Sequence, residues 1–229
     1  MTRTVGCWNN RTFAFETWST ALIVIDMQRD FLADDGCLPK MFKWDNSPLR
    51  AVVPNVRSIL EAARDAGLLV VHTREGYLPD GSDVTPAKRE MGYVGAPGPY
   101  GPYLVRGSAG HDFLAGFEPA AGELVVDKAA FNAFHNTHLG ETLADRAISH
   151  LLITGVTTQC CVHSTLRDAV DRGYLCLTVS DGCGALKQEW HDATMTIIQA
   201  ESNLFGWIAE SANVISALTQ RQALAGDAG

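Results

Sequence analysis

The chain has no apolar run approaching the roughly 20 residues a membrane-spanning helix needs. The longest, such as Ala21 to Ile25 and Leu68 to Val71, are far shorter, so no membrane partner is expected. Met1 to Asn10 lacks the apolar core of a secretory leader, which predicts a cytoplasmic protein. Six cysteines (7, 37, 160, 161, 176 and 183) include no Cys-x-x-Cys pair. A chain of this length needs no disulfide framework, so reduced thiols are expected. Basic residues are in deficit, 18 against 26 acidic ones, for a net charge of −8. Such a balance repels a polyphosphate backbone, so no nucleic-acid partner is expected.

What is present is ordinary globular material, 46% hydrophobic and 19% charged, and 229 residues suit one domain spanning 1–229. Short β-branched runs recur at Ala21 to Ile25, Leu68 to His72, Leu124 to Val126, Leu151 to Thr154 and Leu175 to Val179. They read as strands buried on both faces. Between them Pro54 to Ala66, Leu139 to Ser149, Cys161 to Arg172 and Glu189 to Ala200 carry apolar residues at helical spacing, and Gly67 and Gly173 stand where helix C-caps fall. Alternation of strand and helix predicts a three-layer α/β/α fold, Rossmann-like, around a mostly parallel sheet. Residues 76–120, dense in glycine and proline, break the pattern and read as an insertion forming an active-site wall or a subunit contact. The tail Gln220 to Gly229 is expected to fray.

Parallel sheets gather function beyond the carboxyl ends of their strands. Asp26 and Lys128 follow two of the apolar runs, and Cys161 opens a helical stretch soon after a third. A thiol at a helix start is expected to feel the positive end of the dipole, which favours thiolate. Amides and ureas are poor electrophiles, so attack on one also needs a base and oxyanion donors. Taken singly, an Asp after a strand is an ordinary cap, a Lys beside Asp127 is ordinarily solvated, and a Cys is ordinarily a small hydrophobe. Spacing alone does not separate these readings.

Three segments resemble the signature of the isochorismatase-like cysteine hydrolases: Ala21-Leu22-Ile23-Val24-Ile25-Asp26-Met27-Gln28-Arg29-Asp30-Phe31; Lys128 with Phe134 and Thr137-His138-Leu139; and Gly155-Val156-Thr157-Thr158-Gln159-Cys160-Cys161-Val162. By position the resemblance implies Asp26 as proton shuttle, Lys128 as its charged partner and Cys161 as nucleophile. It also implies a cis peptide between Val156 and Thr157, with the Thr157 and Cys161 amides as oxyanion hole. Members that hydrolyse isochorismate lack the cysteine, so acyl chemistry through a thioester is implied. The nicotinamidases' Asp-x-His metal core is matched here by Thr73-Arg74-Glu75-Gly76-Tyr77, so neither metal nor other cofactor is expected. His72, His163 and His191 are read as packing or hydrogen-bonding residues.

His72-Thr73-Arg74-Glu75-Gly76, Arg106-Gly107, Asp171-Arg172-Gly173-Tyr174 and Phe205-Gly206 are similar to the ureido and biuret hydrolase branch. The implied substrate is a small ureido, carbamoyl or amide compound. Other amides of the superfamily (maleamate, an N-carbamoyl amine, nicotinamide) and a non-hydrolytic binding or thiol redox role are the alternatives. Phe31, Tyr77, Phe131 and Asn132 are candidate wall residues, and Trp44, Trp190 and Trp207 line either the pocket or a subunit contact. Glu201 stands where similar biuret hydrolases carry a substrate-binding glutamine, and its carboxylate would favour N–H-rich or cationic groups. The resemblance further implies a homo-oligomer, a tetramer or dimer.

Overall fold

The computed structural model describes residues 2–220. The chain opens with an antiparallel hairpin, β1 (Thr2–Cys7) and β2 (Arg11–Glu16). Its turn places Asn9 and Asn10 at φ 58° and 55°, a left-handed conformation that asparagine tolerates better than most residues. There follow β3 (Thr20–Ile25), α1 (Arg29–Leu32), α2 (Cys37–Met41), α3 (Ser47–Arg50), α4 (Val53–Asp65) and β4 (Leu69–Glu75). The middle of the chain holds α5 (Pro86–Met91), the two-residue strands β5 (Pro97–Gly98) and β6 (Gly101–Pro102), β7 (Leu124–Lys128) and α6 (Leu139–Asp145). The rest comprises β8 (His150–Val156), α7 (His163–Asp171), β9 (Leu175–Gly184), α8 (Gln188–Asn203), β10 (Trp207–Ala209) and α9 (Ser211–Thr219).

Six strands form one parallel sheet in the order β10-β9-β8-β3-β4-β7. All six residues of the central strand β3 are buried, and the five apolar ones alternate between two cores. Leu22 and Val24 face the side covered by α4, α9 and the hairpin residues Val5, Phe13 and Phe15. Ala21, Ile23 and Ile25 face the side covered by α6, α7 and α8. An unbroken apolar run is what a strand covered on both faces requires, and each such side chain contributes about 1.5–3 kcal/mol on burial. In α4, Val56, Ile59, Leu60 and Ala63 recur at helical spacing and are buried. Gly67 then ends the helix at φ 72°, its N–H donating to the Arg64 carbonyl at 3.0 Å.

Some boundaries differ from the sequence expectation. The helix from Leu139 stops at Asp145, four residues early, and Ala147 at φ 53° turns the chain back toward β8. Cys161 lies within a π-helical turn, Thr158–Val162, and α7 proper begins at His163. The hairpin, β10 and α9 were not among the expected elements. The expectation for the tail falls on residues 221–229, outside the described residues. Among the described residues no helix is long and apolar enough to cross a membrane.

The glycine- and proline-rich segment folds back onto the carboxyl end of the sheet. It is stitched to the α1 region by the Asp30 N–H donating to the Gly110 carbonyl at 2.8 Å and the Leu104 N–H donating to Asp30 Oδ2 at 3.0 Å. Tyr77, Val84, Tyr103 and Leu104 bury with Cys37 in a small third core.

Candidate active site

β3, β7 and β8 all end at one crevice. Register pairs Ile25 with Thr73 and with Gly155, and Glu75 with Lys128. Gly155, at φ 116°, lets the loop after β8 press against β3; a Cβ there would stand 2.1 Å from the Ile25 carbonyl oxygen. Asp26 follows at φ 52° and is fully buried. Lys128 Nζ donates to Asp26 Oδ2 at 2.7 Å and to the Ala130 carbonyl at 3.0 Å, and Thr73 Oγ1 donates to Asp26 Oδ1 at 2.6 Å.

Cys161 Sγ lies near this pair. The donor atoms of Asp26, Glu75 and Cys161 all fall within 4.8 Å of one another, and Sγ points to Glu75 Oε2 at 3.5 Å. The other Glu75 oxygen takes Lys88 Nζ at 3.0 Å and the Tyr77 hydroxyl at 3.1 Å. Gln28 anchors the Glu75 backbone, its Oε1 accepting from the Glu75 N–H at 2.7 Å and its Nε2 donating to the Glu75 carbonyl at 2.9 Å. Two buried ion pairs, Lys88–Glu75 and Lys128–Asp26, thus flank the thiol with their carboxylates turned toward it. A metal ion among the three donors would have to contend with both ammonium groups, so the set suits a compensated proton-transfer site better than a cation site.

Burial raises the Asp26 carboxyl above the ordinary range; Glu75 adds to this, while Lys128 and Thr73 oppose it. Burial alone would lower Lys128, but the neighbouring Asp26, Cys161 and Glu75 hold it above the ordinary lysine value. Its hydrogen bond with Cys160, then burial, then the two carboxylates push the Cys161 thiol well above its ordinary value, against the pull of Lys128. Cys161 thus sits in a π-helical turn two residues ahead of α7, where burial and the two carboxylates disfavour its thiolate, and attack by the thiol calls for a base.

A cavity of about 280 Å³ opens above the thiol. Thr157, Gln159, Cys160, Cys161 and Glu75 line its polar end, and the Val156–Thr157 peptide is cis. The rest is hydrophobic: Phe31, Leu38, Phe42, Trp44, Tyr93, Tyr103, Leu104, Phe131, Leu186 and Trp190. Of the residues singled out in the sequence, Phe31, Phe131, Trp44 and Trp190 are brought to the cavity. Tyr77 is fully buried, is not part of the cavity lining, and reaches the site by its hydrogen bond to Glu75. Asn132 turns away to donate to Asp168. Trp207 packs on Phe13 with ring centroids 5.2 Å apart. Glu201 is exposed in the distorted last turn of α8, away from the cavity lining. His72 pairs with Glu123 at 2.8 Å, His191 with Thr158 at 3.0 Å, and His163 packs edge-on against Phe205. Glu75, Gln159, Tyr93 and Tyr103 were not singled out, although a buried Glu at the end of a parallel strand was a readable signal for the first.

The family model of the Isochorismatase domain matches residues 20–213. The chain belongs to this hydrolase family. It is 30% identical over 205 residues to the ureidoacrylate amidohydrolase RutB of Serratia proteamaculans, covering 86% of this chain and 82% of that protein. Among solved structures, the cysteine hydrolase from Pseudomonas syringae superposes with a TM-score of 0.78 at 25% identity, covering 95% of this chain and 98% of that one. The isochorismatase family protein from Desulfovibrio vulgaris gives 0.75 at 27% identity, covering 88% and 99%. The six-stranded parallel sheet between helical layers is the isochorismatase-like α/β fold.

Proposed function

We propose that this isochorismatase-family hydrolase is a cysteine-dependent amidohydrolase that cleaves a carbamoyl or amide C–N bond through a thioester on Cys161. The observation that carries the reading is the buried Asp26–Lys128 pair whose carboxylate lies within 4.8 Å of the Cys161 thiol at the floor of a cavity. Asp26 takes the thiol proton as Sγ attacks the carbonyl carbon. The Thr157 and Cys161 amides receive the developing oxyanion. On collapse the C–N bond breaks and Asp26 returns the proton to the leaving nitrogen. Water, deprotonated by the same carboxylate, then adds to the acyl- or carbamoyl-thioester; the C–S bond breaks and Asp26 returns the proton to the Cys161 sulfur. Lys128 keeps Asp26 anionic and aligned throughout. Glu75, facing the thiol, and Gln159 supply acceptors for substrate N–H groups, which suits ureido and primary amide compounds. The RutB relatives, named for a ureido substrate, support the same class.

Ammonia release from a panel of ureas and primary amides, with wild type and Cys161→Ala in parallel, tests the reading. Turnover that falls by at least about a thousandfold in the variant supports it; full activity in Cys161→Ala sinks it.

A further inference from the structure

The geometry points to a substrate whose reacting amide carries an uncharged, apolar group the size of one aromatic ring with its linker, and to discrimination against carboxylated ureido compounds. This rests on the amidohydrolase reading and narrows it to a substrate class.

Size comes first. A cavity of about 150 Å³ accepts benzene, so the 280 Å³ here holds one ring and leaves space for a short linker and the amide. Its walls are aromatic surface: Phe42 stacks on Trp44 at 5.2 Å between centroids, and Tyr103 meets Phe31 and Phe42 edge-on at 6.3 and 5.4 Å. Trp190 and Phe131 complete the box. Such a surface rewards an apolar or aromatic occupant.

Charge comes second. Among the described residues no lysine or arginine lines the cavity. Lys128 is committed to Asp26 at 2.7 Å. Lys88 is committed to Glu75 at 3.0 Å and to the Tyr93 hydroxyl at 3.0 Å, and its Nζ lies 3.3 Å from the centroid of the Phe131 ring. A substrate carboxylate would therefore lose its water and find no cation in exchange. A substrate cation would find both carboxylates already paired. Beside the backbone amides that would take the oxyanion, the reacting end offers side-chain acceptors: Glu75 faces the thiol, and Gln159 Oε1 is buried without a partner. The matching ligand is N–H-rich at the amide and greasy beyond it.

Matched probes separate these demands. Benzylurea is compared with ureidoacetate, and 3-phenylpropanamide with succinamate and with its trimethylammonium counterpart, by kcat/KM for ammonia release. The aryl member should lead in each set by more than about 30-fold. Binding of the same probes to Cys161→Ala, read from quenching of tryptophan fluorescence, should give the same order without any turnover. Phe42→Ala should lower kcat/KM for the aryl probes at least about tenfold and for the carboxylate probes far less. Leu186→Arg, which sets a cation in the wall, should shrink the preference over the carboxylate at least tenfold. Equal or better binding of the carboxylate or the trimethylammonium probe, or no binding of any, would overturn the inference. Preferential aryl binding with no ammonia from any probe would uphold it and overturn the amidohydrolase reading instead.

Discussion

Replacing Lys128 by methionine keeps the length of the side chain and removes one charge from a pair that is wholly inaccessible to solvent. At the observed 2.7 Å, and with an effective dielectric of about 20, the two charges attract by about 6 kcal/mol. Desolvation offsets much of this when the pair forms, yet removing a single partner strands the other, at a cost of about 3–5 kcal/mol. For a domain of this size that is a fall in Tm of roughly 6–20 °C. The loss depends on pH in a defined direction. In the variant Asp26 escapes the cost by binding a proton, so its folded pKa rises further above the unfolded value. The variant's relative stability is then greatest below the unfolded pKa and falls as pH rises through the folded one. Chemical denaturation from pH 5 to 8 should show the gap from wild type widening with pH, and Asp26→Asn combined with Lys128→Met should recover most of it. A gap below about 1 kcal/mol, or one that does not change with pH, would refute the idea of a charged buried pair at this site.

Gly155→Ala places a Cβ against the Ile25 carbonyl in a backbone conformation alanine avoids, and should cost more than about 2 kcal/mol and most of the activity; an unchanged thermal melt would contradict the close approach of β3 and β8. Because burial raises Asp26, kcat/KM should fall on acidification through a midpoint above the ordinary carboxylate value of 3.8; a midpoint at or below that value removes Asp26 as the base. Glu123 is held down at about 2, its burial outweighed by Arg64, the Ala120 amide and His72. Wild type should accordingly lose stability as pH falls from 4.5 toward 2, and Glu123→Gln, less stable at neutral pH, should be flatter in that window; parallel acid curves for the two would rule this out.

The legible part of the fold was the part encoded by local pattern. The β3, β8 and β9 runs and the α4 periodicity were readable because a strand buried on both faces and an amphipathic helix each leave a continuous signature. The hairpin was missed although Asn9-Asn10 stands at its turn, because Val5, Phe13 and Phe15 alternate with small or polar, mostly exposed residues and form no long apolar run. β10 is only three residues long and has no periodicity to detect.

At the site, sequence order alone placed Asp26, Lys128 and Cys161 at or just beyond strand ends, since parallel topology sends all such ends to one side. Only the tertiary structure decided their surroundings. Lys128 meets Asp26 across 102 residues of chain, and Glu75 meets Cys161 across 86. The aromatic wall draws on the α1–α3 region, the 76–120 segment, Phe131 after β7 and Trp190 in α8 together. Whether Tyr103 faces the cavity and Glu201 faces solvent depends on how loops without periodicity fold over the sheet. That is set by long-range packing and by single hydrogen bonds such as Leu104 to Asp30, which no window of neighbouring residues contains. The same holds for the thiol. Its position near a helix start was visible along the chain, but the burial and the carboxylates that disfavour its thiolate exist only once the strands are side by side.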